Sequence, residues 1–224
     1  MAQGYKIPIE INWVSVSIVE RFSSPLYPLD ALELLRQLPI IGYIVPEQVL
    51  RGIPVSNQPI ARKGDVELII NQDNKTIGLK GREIGRTIEY FKELRQFYFE
   101  HLDPSPGLLT QYVEFNGEGW AKSGNNPTAT FSSFWANNEN LVQLGKIIGM
   151  DVSNFGVQLV PPNQDPNSPE WFHIYLEPLV ASASRRYHVL YIQRGSKVEQ
   201  LLDRFSRVDD FVKDLIKKIE EKLV

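Results

Sequence analysis

Apolar residues along this chain recur with two periods. Ile7, Ile9, Ile11 and Trp13 alternate with Lys6, Pro8, Glu10 and Asn12, which predicts a strand with one buried face. From Val14 the apolar phase moves by one residue, to Val14, Val16 and Ile18. A bulge, or a change of buried side, is therefore expected within that strand. A short helix is expected over residues 29–37, with Leu32, Leu35 and Leu38 on its apolar side and Pro39 and Gly42 ending it. A strand is expected over 45–53. Residues 66–70 and 76–80 flank a polar turn, which reads as a hairpin. Ile84, Ile88, Phe91, Tyr98 and Leu102 then fall at helical spacing and predict a long helix over 85–102.

Asp103-Pro104-Ser105-Pro106-Gly107 cannot continue that helix, and after it the same order of elements returns. A strand region covers 109–120, followed by a loop at 123–130 rich in glycine and asparagine. The short helix falls within 131–148, and strands follow at 152–160, 172–179 and 187–193. One last helix over 197–223 carries the stripe Phe205, Val208, Val212, Leu215, Ile219 and Leu223. Asn116-Gly117 conflicts with this scheme, because that dipeptide favours a tight hairpin and would split 109–120 into two strands.

Sliding the chain against itself by 107 residues aligns Tyr5 with Tyr112, Trp13 with Trp120, Leu34 with Leu141, Ile40-Ile41-Gly42 with Ile147-Ile148-Gly149, Val45 with Val152, Pro54 with Pro161 and Pro59 with Pro166. Two repeat units, 1–103 and 108–224, follow from this. The fold class is α+β: two tandem β-α-β-β-β-α units sharing a curved antiparallel sheet, with long helices on one face and the other face free. This order of elements, given twice, resembles the fold of the TATA-box-binding proteins over most of the chain, which would imply a DNA-binding sheet face. The strands are not basic, however, and that family's paired intercalating phenylalanines have no counterpart. Gly107–Asn116 (GLLTQYVEFN) and the closing helix also resemble a sporadically distributed group of uncharacterised prokaryotic proteins.

The chain has 224 residues, 42% hydrophobic and 23% charged, enough to bury a core without crosslinks. It has no cysteine, which removes disulfides, thiolate metal sites and cysteine nucleophiles. A net charge of -3 makes a nucleic-acid partner unlikely, since such proteins carry a basic footprint. No apolar run is long enough to cross a membrane and the first residues lack a signal-peptide core, so the expected location is the cytoplasm. There is no G-x-S-x-G elbow and no phosphate-binding glycine loop. No catalytic residue, metal ligand or cofactor is assigned, and the balance of motifs is against an enzyme.

The most suggestive residues are aromatic. On the strand that begins at Trp171, alternation puts Trp171, His173 and Tyr175 on one side and Phe172, Ile174 and Leu176 on the other. The first set is expected on the free face, beside Arg185, Arg186 and His188 of the next strand. Aromatic rings mixed with arginines suit protein, peptide or base contacts. The reading is a non-enzymatic module that binds a protein or peptide partner through this face, with self-association also possible. The alternatives are a small ligand or lipid held between the sheet and the C-terminal helix, and nucleic-acid binding by analogy of fold.

Overall fold

The computed structural model describes residues 8–23, 31–52, 59–71, 73–101, 109–136 and 138–221. In the first half the elements are β1 (Glu10–Phe22), α1 (Ala31–Gln37) running into a 3-10 turn (Leu38–Ile41), α2 (Glu47–Leu50), β2 (Arg62–Lys63), β3 (Val66–Asn71), β4 (Thr76–Gly81) and α3 (Ile84–His101). The second half gives β5 (Thr110–Lys122), α4 (Pro127–Trp135), α5 (Glu139–Ile148), β6 (Val157–Leu159), β7 (Trp171–Pro178), β8 (Arg186–Gly195), α6 (Val198–Ser206) and α7 (Val208–Glu220). The eight strands form one antiparallel sheet, not closed, in the order β2-β3-β4-β1-β5-β8-β7-β6. Outward from the β1–β5 seam, each half presents its first, fourth, third and second strand.

The phase change in β1 is a bulge. Its register against β5 shifts between Trp13 and Ser15, so Trp13 before the shift and Val16, Ile18 and Phe22 after it are all buried. Matching positions in the two halves carry matching constraints. Val16 lies opposite Gly81 on β4, and Val113 lies opposite Gly195 on β8. Each glycine closes the strand leading into a helix. A Cβ at Gly81 would meet Thr87 Oγ1 at 2.7 Å, and one at Gly195 would meet Leu201 Cδ1 at 3.0 Å. The glycine leaves the following helix room to lie close over the end of the strand, and a side chain there would push its neighbours aside. The two Ile-Ile-Gly sequences also match in conformation, ending their helical segments with left-handed Gly42 (φ 82°) and Gly149 (φ 78°). Trp13 and Trp120 do not match. Trp13 is buried among the helices, whereas Trp120 lies on the other side of the sheet beside Arg186. Tyr5 and Pro54 lie outside the described residues.

The helices cover one face. α3 packs on β1 and β4, α6 packs on β5 and β8, and the two helices meet above the seam. Aromatic pairs tie the layers together. Phe115 stacks on Phe205 at 4.8 Å, Phe22 lies 5.5 Å from Tyr98, Tyr191 5.6 Å from Phe211, and Phe131 5.9 Å from Tyr187. Such pairs contribute about 0.5–1.5 kcal/mol each beyond the area they bury. Residues of both halves form one continuous apolar cluster.

Several expected elements differ. Asn116-Gly117 makes no turn: β5 runs through it, with Asn116 opposite Ser17 and Ile192. Gly117 is needed for ring space instead, since a Cβ there would sit 2.7 Å from the Trp13 ring and 2.9 Å from that of Phe115. The strand expected over 45–53 is a single bridge, Ile44 to Arg62, followed by the short α2, which Pro46 precedes as N-cap; Ile53 itself lies outside the described residues. The loop expected at 123–130 already holds the start of α4, because Asn126 accepts from the amides of Thr128 and Ala129 and Pro127 follows it. Asn138 caps α5 in the same way, so 131–148 holds parts of two helices. The strand expected over 152–160 is reduced to β6. The last helix breaks at Arg207 (φ -111°), which lets Phe205 and Val208 both turn fully inward.

Among the described residues Glu20 is the one buried carboxylate, 3% exposed. It accepts from Arg95 Nε at 3.2 Å and from the Thr110 hydroxyl. Burial raises its pKa in spite of these partners. The folded state therefore holds the Glu20 proton more tightly than the unfolded chain does, and stability falls as pH rises through the interval between the two pKa values. Glu20→Gln keeps an acceptor for both donors and removes the charge. It is expected to be neutral or stabilising by about 1 kcal/mol at pH 7, with the advantage vanishing in acid, as read by urea melts across pH. Gly78→Ala would set a Cβ 2.3 Å from the Ile18 carbonyl oxygen and is expected to cost about 3 kcal/mol in the same assay. Gly85→Ala, with nothing within 4 Å, is expected to gain up to about 1 kcal/mol from helix propensity.

Candidate functional site

The face away from the helices takes its side chains from every second residue of each strand. β5 contributes Tyr112, Glu114, Asn116, Glu118, Trp120 and Lys122. β8 contributes Arg186, His188, Leu190, Ile192 and Arg194, and β7 contributes Trp171, His173, Tyr175 and Glu177. Register fixes the neighbours. Trp171 lies opposite Arg194, Arg194 opposite Glu114, His173 opposite Ile192, Tyr175 opposite Leu190, and Glu177 opposite His188.

Arg194 is the centre of one group. Its Nε donates to Glu114 Oε2 at 2.8 Å, and its terminal nitrogens reach the same carboxylate and the Pro166 carbonyl at 2.9 Å. The guanidinium lies 4.5 Å from the Tyr112 ring and 5.8 Å from that of Trp171. Arg21 approaches Tyr112 as well, donating to its hydroxyl at 3.2 Å. Trp171 and His173 lie 5.8 Å apart, and Gln158 on β6 pairs with His173 Nε2 at 2.9 Å. A row of rings and guanidinium groups thus crosses the sheet from β1 to β6. The segment before β7 is anchored beside it, because Glu170 accepts from the Ser196 amide at 2.8 Å and from its hydroxyl at 2.7 Å.

A second group surrounds His188. Its Nε2 lies 3.3 Å from Glu118 and its Nδ1 3.5 Å from Glu177. Tyr175 donates to Glu177 at 2.5 Å, and this bond to the carboxylate raises the phenol pKa. The two carboxylates sit at opposite ring nitrogens, so they cannot close with the imidazole around a single ion. Among the described residues, no group of three histidine or acidic side chains is arranged to hold a metal. Beside this group the Arg186 guanidinium lies 4.1 Å over the Trp120 ring.

Of the residues singled out from sequence, Trp171, His173, Tyr175, Arg186 and His188 share this face. Arg185 does not: it is exposed in the turn before β8. His173 and His188 lie on paired strands, yet each has its own partners. Trp120, Glu114, Glu118 and Arg194 were not anticipated. Their signal was present in the alternation of β5 and β8, the strand region expected over 109–120 being one strand as β5 is, but that alternation was not carried through to the face.

The Arg194–Glu114 pair is only 15% and 19% exposed, so its charges are little screened. A double-mutant cycle with Arg194→Met and Glu114→Gln is expected to give a coupling of about 1–2 kcal/mol in urea unfolding, well above that of an exposed pair such as Arg51–Glu47. No protein-family model matches the chain, and no curated protein is significantly similar to it, so a functional reading starts from this geometry.

Proposed function

We propose that this protein is a non-enzymatic interaction module that holds a protein or peptide partner on the uncovered sheet face of its second half. One observation carries the reading. Trp120, Trp171, Tyr175, Arg186 and Arg194 stand on a face that none of the described helices covers, with Tyr112 buried beneath Arg194, and they are held in fixed pairs by hydrogen bonds and ring contacts. Side chains ordered in advance lose little entropy on binding, and tryptophan, tyrosine and arginine are the residues that anchor protein interfaces. The repeated strand order supports a scaffold made by duplication, with the binding face developed in one half.

The other readings find less support. Glu114, Glu118 and Glu177 stand among the arginines, so the face lacks the excess of positive charge that phosphate contacts need. At the C-terminal helices a cleft of about 840 Å³ lies between residues 11–14 of β1, residues 82–85 and Ser206 and Asp209, but Asn12, Arg82, Glu83, Ser206 and Asp209 make half of its lining polar or charged, where a small-ligand or lipid pocket is mainly apolar.

Panning a random peptide library against the immobilised chain tests the proposal. Enriched peptides are expected to bind with micromolar affinity, to lose at least about tenfold on Trp120→Ala combined with Arg186→Ala, and to shift backbone resonances of β5, β7 and β8. Absence of enrichment, or peptides indifferent to those substitutions, would refute it.

A further inference from the structure

α5 is a ten-residue helix in which no residue is buried. Eight of the fifteen large apolar side chains exposed among the described residues lie between Val142 and Val160, which marks this stretch as the apolar surface of the molecule. Leu144, Ile147, Ile148 and Met150 form its projecting part, with 48%, 81%, 57% and 66% of their surface free. Next to them, α4, α5 and the segment after α5 enclose a cleft of about 780 Å³ whose walls include Trp135, Leu141, Val142 and Gly145. The Trp135 indole Nε1 is buried there without an acceptor.

We propose that this surface is the interface of a homodimer, in which the Leu144–Met150 ridge of each copy enters the α4–α5 cleft of the other. A two-fold interface must be self-complementary, and an apolar projection beside a mostly apolar hollow, whose rim also carries Asn138, Lys146 and Asp151, meets that condition without any further partner. The size agrees. Val142 and the four ridge side chains expose on the order of 500 Å² of apolar surface. A standard interface covers about 800 Å² per partner, about 65% of it apolar in homodimers. A lipid surface fits poorly, because α5 carries one basic residue, Lys146, where interfacial helices carry several.

Sedimentation of the full chain between about 1 and 100 μM tests this, a range that brackets ordinary homodimer affinities. A species of twice 25.6 kDa is expected. Ile147→Glu should weaken the dimer at least about 100-fold, while Val180→Glu, at an equally exposed position outside the patch, should leave it unchanged. Because the chain has no cysteine, Ile147→Cys gives an independent readout that does not depend on tolerating a charge. Mixed with a Val142→Cys chain, whose thiol lies in the cleft wall, it should form a disulfide-linked heterodimer on mild oxidation, and Val180→Cys mixed with the same chain should not. A monomer throughout the range, a dimer unaffected by Ile147→Glu, or equal crosslinking at the two positions would each overturn the proposal.

Discussion

β1 and β5 pair along thirteen residues each, from Glu10 opposite Lys122 to Phe22 opposite Thr110, and every other strand joins the sheet through one of these two. The pairing is possible because β5 gives up side chains where β1 needs space. A Cβ at Gly119 would stand 2.4 Å from the Asn12 carbonyl oxygen, and one at Gly117 would strike the Trp13 ring. Trp13 fills the vacated room, meets Phe115 edge-on at 6.4 Å, and donates its indole N–H to Asp209 at 2.7 Å. The seam therefore also sets where α7 begins. A helix that starts with its first turn clamped to β1 cannot continue the axis of α6, which accounts for the break at Arg207.

The helical layer rests on the same seam through two polar clasps. On one side Glu20 of β1 reaches Arg95 of α3. On the other, Glu220 of α7 accepts from Tyr187 of β8 at 2.8 Å and from Ser123 at 2.5 Å. Burial pushes the Tyr187 hydroxyl well above the usual phenol range and raises that of Tyr191 to about 12, so both rings remain neutral core residues that retain a polar end. Around such fixed points the aromatic pairs contribute mostly by area and fit. Their number explains how a chain with no disulfide keeps the helices of both halves in register over one face of the sheet.

Much of this was legible in the sequence wherever a single force dominated. The β3–β4 hairpin, α3 and the bulge in β1 followed from apolar periodicity, because one face of each is fully buried. Reading failed where a residue type serves two physical ends. Gly117 looked like a turn residue, but its lack of a side chain serves a tryptophan on the neighbouring strand. Asn126 read as loop composition and Asn138 fell inside the stretch expected to hold one helix, but both are helix caps, and only their spacing to Pro127 and Glu139 could have said so. Residues 45–52 carry the apolar content of a strand, yet Pro46 starts a helical turn there. The free face was half legible: alternation located Trp171, His173 and Tyr175, but Glu114 and Trp120, which meet Arg194 and Arg186, stand on β5, whose place beside β8 only the fold creates.

The two outward surfaces differ in a way that bears on their use. On the sheet face, charges and rings already satisfy one another, so a partner must offer contacts that compete with water and with existing pairs, which favours exchangeable binding of modest area. On α5 the exposed groups are apolar and have no alternative but water, and the buried Trp135 donor gains nothing from solvent it cannot reach. Covering that surface yields free energy roughly in proportion to area, which favours a contact that, once made, persists. A lasting contact through α5 would leave the sheet face of each copy uncovered only if the two surfaces do not overlap. The chain meets that requirement at its outer strand: β6 contributes Gln158 to the sheet face, while Leu159, on the opposite side of the same strand, is among the exposed apolar residues that continue from α5.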